Sequence, residues 1–163
     1  MSLSLPHPFS PRDAETRHLL IGRCLELAER ATAAGDVPVG AAVISPEGAV
    51  IGEGFNTRER DADPAGHAEM TALRSAAETL GSWRLEGCSL AVTLEPCPMC
   101  AGAISQARVR TVIFGAWDEK AGAAGSVFDI LREPRLNHWV EVHPGVRAQE
   151  CAAQLRDFFQ KFR

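Results

Sequence analysis

The chain has 163 residues, 45% of them hydrophobic, and a formal net charge of −4. That is one ordinary domain with enough apolar material for a full core, and the mild acidity excludes a protein that grips long nucleic acid by charge alone, though not one with a local basic patch. Five cysteines, an odd number without regular spacing, argue against a disulfide framework, and no signal peptide or long apolar run is present, so a reducing, cytoplasmic setting without a membrane span is expected.

Residues 1–10 carry Pro6 and Pro8 without a sustained pattern and read as a flexible arm, which leaves a single domain over 11–163. From Pro11, a good first-turn residue, Leu20, Ile21, Cys24, Leu25, Ala28 and Ala31 mark an apolar face at helical spacing, and Gly35 ends the helix. His18 within it has no ligand partner at helical spacing and reads as a surface histidine. The short apolar runs 39–44 and 49–55, separated by Ser45-Pro46-Glu47-Gly48, predict a hairpin. Asn56 follows as a turn residue, and 57–63 alternates charges of both signs like an exposed loop. His67 opens a helix to Leu80 with Met70, Leu73, Ala76, Ala77 and Leu80 on its buried face and Gly81 as its stop. A strand over 89–94, a helix over 98–107 and a strand over 109–114 then make a right-handed crossover between parallel strands. Ligands in such sheets bind beyond the carboxyl ends of the strands, and Cys97 lies just past one.

Beyond Ala116 the run Ala121-Gly122-Ala123-Ala124-Gly125-Ser126 is glycine-rich but has neither G-x-G-x-x-G nor a G-K-[ST] ending, so it reads as a mobile loop rather than a phosphate cradle. Trp117 beside it reads as packing. A helical turn is expected over 127–131, a fifth strand over 139–142, and a final amphipathic helix over 147–159 with Cys151, Leu155, Phe158 and Phe159 as its apolar positions. From Arg147 onward Arg147, Arg156, Lys161 and Arg163 outnumber Glu150 and Asp157, a small positive surplus. His138 and His143 have no ligand motif beside them and read as non-ligands.

The chemistry concentrates in two stretches, Asp63-Pro64-Ala65-Gly66-His67-Ala68-Glu69 and Glu95-Pro96-Cys97-Pro98-Met99-Cys100. His67, Cys97 and Cys100 supply three ligands for one zinc ion, and three protein ligands on a tetrahedral metal leave a position for water, the layout of a catalytic site. Cys97 and Cys100 stand at i and i+3 with Pro98 at the first helical position, so both face one way from an opening turn. If both helices begin at the metal, their N-terminal dipoles favour the thiolates. Glu69 is then the natural proton carrier. The plainer readings are a redox or structural Cys-x-x-Cys and a capping role for Glu69; but Cys24, Cys88 and Cys151 are isolated, and no further motif closes a structural zinc shell.

His-x-Glu paired with Pro-Cys-x-x-Cys is the zinc nucleobase deaminase signature. Asp36-Val37-Pro38-Val39-Gly40, Asp63-Pro64 ahead of His67, Val92-Thr93-Leu94-Glu95-Pro96-Cys97, Met99-Cys100-Ala101-Gly102-Ala103, Phe114-Gly115-Ala116, Asn137-His138 and the tail from Glu150-Cys151 to Phe158-Phe159 narrow it further. Together they cover nearly everything after the first ten residues and resemble the bacterial tRNA-specific adenosine deaminases. The resemblance implies a three-layer α/β/α cytidine-deaminase-like fold with a mixed five-stranded sheet, one zinc per subunit on His67, Cys97 and Cys100, and Glu69 as catalytic residue. It further implies substrate contacts at Asn56, Asp118, Lys120 and Phe159, a homodimer, and hydrolysis of adenosine to inosine at the wobble position of a tRNA anticodon stem-loop. Trp117 and Ala91 depart from the residue types expected there, Ser45 to Gly48 is slightly long, and the basic tail after Phe159 is short. A free-base or nucleoside deaminase acting on guanine, cytosine or cytidine would share every ligand and differ only in its pocket. A zinc-stabilised RNA-binding module without turnover would need a fourth protein ligand.

Overall fold

In the computed structural model, which describes residues 3–162, α1 (Ala14–Ala33) begins later than Pro11 predicts, because Asp13 fixes the N-cap by accepting from the Thr16 amide at 2.8 Å and hydroxyl at 3.0 Å. Met1, Ser2 and Arg163, which belong to the expected arm and basic surplus, lie outside the described residues. The hairpin is β1 (Gly40–Ile44) and β2 (Val50–Phe55). It is followed by α2 (Ala68–Leu80), β3 (Ser89–Leu94), α3 (Pro98–Gln106), β4 (Thr111–Ala116), β5 (Glu141–His143) and α4 (Ala148–Lys161). Gly81 stops α2 as expected, in the left-handed conformation at φ 66°, with its N–H bonded to the Ala77 and Glu78 carbonyls.

The strands form one mixed sheet in the order β2-β1-β3-β4-β5. β1 runs antiparallel to β2 and β3, while β3, β4 and β5 are parallel. Alternation along the central strands sends Ala41, Val43, Leu90, Val92, Val112 and Phe114 into a core shared with α2 and α3. Ala42, Ile44, Ala91 and Ile113 face a second core shared with α1 and α4. The result is the expected three-layer α/β/α arrangement. The parallel strands β3 and β4 are joined through α3, so the ends of β3 and the start of α3 meet at one edge of the layers, where Cys97 lies.

Three expectations are corrected. The buried face of α2 is Ala68, Ala72, Leu73 and Ala76, and Leu80 is 46% exposed. The cause is close packing: a Cβ at Gly52 would lie 2.4 Å from the Ala72 carbonyl oxygen, and one at Gly54 2.5 Å from that of Ala68, so small residues must face the hairpin. No helical turn forms over 127–131. Instead Ala124 and Asp129 make an isolated antiparallel bridge, and the Phe128 and Ile130 amides donate back to Gly122 and Ala123. The fifth strand starts at Glu141, because Trp139 stands exposed ahead of it while the Val140 amide donates to Leu131. Over its described residues the arm lays Leu3, Leu5 and Phe9 on the core beneath α1 and α4, and Arg12 forks onto Glu141 at 3.0 and 2.9 Å. Among the described residues no helix is long and apolar enough to cross a membrane.

Gly40 marks the tightest junction of α1 with the sheet. A Cβ there would meet the Cys24 carbonyl oxygen at 2.1 Å and the Ala28 nitrogen at 2.7 Å, both backbone atoms. Gly40→Ala is therefore expected to lower stability by about 1–3 kcal/mol, since rigid packing must shift. Equilibrium denaturation checks it: the midpoint should fall with the m-value unchanged.

Candidate active site

Two helix starts converge on the site. His67 is the N-cap of α2 and Cys97 the N-cap of α3, both with extended backbone; Pro98 opens α3, and Cys100 projects from the same first turn. The Thr57 amide, just after β2, donates to the Gly66 carbonyl, and the Asp63 carboxylate accepts from the Ala65 amide at 2.9 Å, which holds the segment ahead of His67. Both Cys97 Sγ and Cys100 Sγ stand 3.5 Å from His67 Nδ1. All three ligand atoms lie within 4.8 Å of one another. Tetrahedral zinc with a Zn–S bond of about 2.3 Å and a Zn–N bond of about 2.0 Å places S and N about 3.6 Å apart, so these side chains fit that ion without rearrangement. Among the described residues no fourth His, Cys, Asp or Glu joins the group. His138 Nε2 bonds the Val109 carbonyl, His143 Nε2 bonds Glu141, and His18 is exposed.

Within the cluster Cys97 is the thiol that its surroundings most readily ionise. Its thiol is drawn down to about 4, first by the hydrogen bond with Cys100 and also by that with His67. Cys100 is driven up by the same bond and by burial, and His67 is raised chiefly by its bond to Cys97. Glu69, in the first turn of α2, is only 4% exposed, and burial pushes its carboxyl up to about 7 against the pull of its own backbone amide and of His67. A carboxyl poised there can both take and return a proton near neutrality.

Beside the cluster opens a cavity of about 290 Å³. His67, Glu69 and Cys97 line it, as do Asn56, Asp118 and Phe159, whereas Lys120 does not. The reason lies in the turn: Asp118 Oδ1 accepts from the Lys120 and Ala121 amides at 3.1 Å each, and it is Asp118 and Ala121 that border the cavity while Lys120 is exposed. Asn56 is buried with its amide partly committed, Nδ2 donating to the Val37 carbonyl at 3.2 Å and Oδ1 accepting from the Arg58 amide at 3.1 Å. Phe159 is 48% exposed at the mouth, next to Phe158. Trp117 packs edge-on against Phe114 with ring centroids 4.9 Å apart.

Two charged lining residues were given no role of their own from the sequence. Arg58 stood in a loop that read as merely solvated. Glu95 is 2% exposed at the end of β3 and ties the 118–126 loop to the sheet: Ser126 Oγ donates to its Oε2 at 2.5 Å, and a Cβ on Gly122 would sit 1.7 Å from that oxygen. Its other oxygen, Oε1, is buried without a hydrogen-bond partner among the described residues. The serine and the glycine of the Gly122-to-Ser126 run were the available signal.

Residues 14–116 match the family described as the cytidine and deoxycytidylate deaminase zinc-binding region. A tRNA-specific adenosine deaminase of Haemophilus influenzae is 48% identical over 139 residues, which are 85% of this chain and 80% of that one. A tRNA(Ile)-lysidine synthase of Deinococcus deserti is 50% identical over 146 residues, 88% of this chain but 27% of that larger protein. The solved structure described under A-to-I editing by tRNA:A34 deaminases at the wobble position of transfer RNA superposes with a TM-score of 0.80 at 39% identity, covering 83% of this chain and 98% of the other. The matched region contains both helix starts, His67, Glu69, Cys97 and Cys100, and the chain thus belongs to the cytidine and deoxycytidylate deaminase zinc-binding family.

Proposed function

We propose that the protein hydrolyses adenosine to inosine at the wobble position of a tRNA anticodon, with His67, Cys97 and Cys100 holding one zinc per chain and Glu69 carrying the proton. The observation that carries this reading is the open three-donor cluster beside a cavity that holds a buried, proton-competent Glu69. Zinc in such a cluster supplies a Lewis acid that makes water nucleophilic at neutral pH. Glu69 accepts a proton from the attacking water as its oxygen bonds to C6 of adenine, and returns it to the ring nitrogen N1. Glu69 next takes the proton of the new C6 hydroxyl and passes it to the amino group, so the C6–N bond breaks, ammonia leaves, and C6 keeps the oxygen as a carbonyl. Asn56, fixed by its backbone bonds to Val37 and Arg58, walls the cavity and orients the nucleoside. Phe159 offers an aromatic face at the mouth for a neighbouring base.

A hairpin loop suits this cavity because its bases are already unpaired and can be splayed out cheaply. The test is ammonia release from an anticodon stem-loop with adenosine at the wobble position, alongside free adenosine, guanine and cytidine. The stem-loop should turn over, the three small substrates should be nearly inert, and added salt should slow the reaction as phosphate contacts are screened. Turnover of guanine or cytidine with an inert stem-loop would move the protein to the free-base or nucleoside class. A homodimer in a cytoplasmic setting completes the reading. The exposed Met99, Val127 and Phe128 offer apolar surface for a second copy, and a single-chain mass by light scattering would contradict it.

A further inference from the structure

The cavity presents an electrostatic problem for an RNA substrate. Three carboxylates line it, Glu69, Glu95 and Asp118, and a nucleotide brings phosphates to the same mouth. Among the described residues that line it, Arg58 alone is a Lys or Arg. Lys120, the cation expected at this place, does not border it, and Arg156 and Lys161 of α4 are likewise outside the lining.

The loop that carries Arg58 is built rather than loose. The Arg58 amide donates to Asn56 Oδ1 at 3.1 Å, and its carbonyl accepts from the Asp63 amide at 3.1 Å. Asp36, 1% exposed, receives the next two amides, those of Glu59 and Arg60, at 2.7 and 3.0 Å. The two guanidinium groups of the loop are used differently. Arg60 forks onto Asp61 at 2.8 and 2.9 Å and lies 5.5 Å from the Phe55 ring centre, whereas the ion pair of Arg58, with Glu59, is loose at 3.9 Å and both side chains are about half or more exposed. Arg60 is committed within the fold. Arg58 keeps its donors for a ligand.

We infer that Arg58 is a substrate-positioning residue, its guanidinium holding a phosphodiester next to the target adenosine while the base enters the cavity. The inference rests on the function proposed above. A planar fork of donors suits phosphate oxygens, and a cation at the rim offsets the repulsion that three nearby carboxylates exert on the backbone. Free adenosine has no phosphate to offer it.

The experiment measures binding of the anticodon stem-loop by fluorescence anisotropy, and ammonia release in parallel. The phosphate on either side of the target adenosine is replaced in turn by a neutral methylphosphonate, with a 2′-deoxy sugar on both the charged and the neutral version. Neutralising one of the two should weaken binding to the unmutated protein about tenfold. The same replacement should cost Arg58→Ala little, because the interaction is already gone. Arg58→Ala should raise KM more than it lowers kcat and flatten the dependence of log affinity on log salt by about 0.7, one single-strand phosphate; Arg58→Lys should restore part of the affinity. Unchanged affinity on neutralising either phosphate, or an equal loss in Arg58→Ala and unmutated protein, overturns the inference and leaves the function standing. Phosphate-dependent binding through Arg58 without ammonia release sinks the function and keeps the inference. A protein that does not bind the stem-loop at all overturns both.

Discussion

Glu69→Gln is expected to keep its zinc and its fold while losing about 10²–10⁴-fold in turnover, the usual contribution of a positioned proton carrier. The amide fills the same buried space beside Cys100 and His67 but can neither accept a proton from water nor return one to the ring. Its neighbours argue that the effect is chemical. Glu69 points into the cavity wall from the first turn of α2, and the helix does not depend on it for its start, since the N-cap is His67. Metal analysis and circular dichroism on the variant should match the unmutated protein. Retention of more than a small fraction of the rate, with zinc in place, returns Glu69 to a structural role.

The second large effect is expected at the thiolates. Cys97→Ala or Cys100→Ala removes one of three donors, so zinc content should fall from about one per chain toward zero and activity with it. Stability should fall too, since metal binding and local folding are coupled. Cys97 and Cys100 open α3, and Cys100 is fully buried, so the loss leaves the start of that helix without its anchor. Elemental analysis of protein never exposed to chelator, with thermal unfolding before and after chelation, measures both. Either variant with full zinc and full activity removes that cysteine from the ligand set.

What the sequence made legible was mostly local. The cluster could be read because its members sit at two helix starts, where Pro98 and the i, i+3 spacing of the cysteines dictate direction without knowledge of the remaining fold. The central strands could be read because apolar runs between turn residues have few alternatives. The misread segments are those that longer-range contacts decide. Nothing near Leu80 announces that glycines 52 and 54 of a distant strand draw the alanine face of α2 inward. The 127–131 segment has helical composition, yet its amides are taken by Gly122 and Ala123, so a compact loop wins over local propensity. Arg58 and Glu95 were missed for the same reason: a charge in a loop or at a strand end gains a role only when folding carries it to the cavity. Asp118 and Lys120 look equivalent in the sequence, and one side-chain oxygen accepting two backbone amides separates them.

The most direct measurement of the central claim locates the product. Purified protein is incubated with an anticodon stem-loop that carries adenosine at the wobble position and at other loop positions, and each adenosine is then read by reverse transcription, in which inosine is copied as guanosine. A zinc deaminase with this cavity should convert the wobble adenosine to completion and leave the others unchanged, and the Glu69→Gln protein should convert none. Absence of inosine with zinc-loaded protein, or inosine scattered over the loop without preference for the wobble position, would contradict the account.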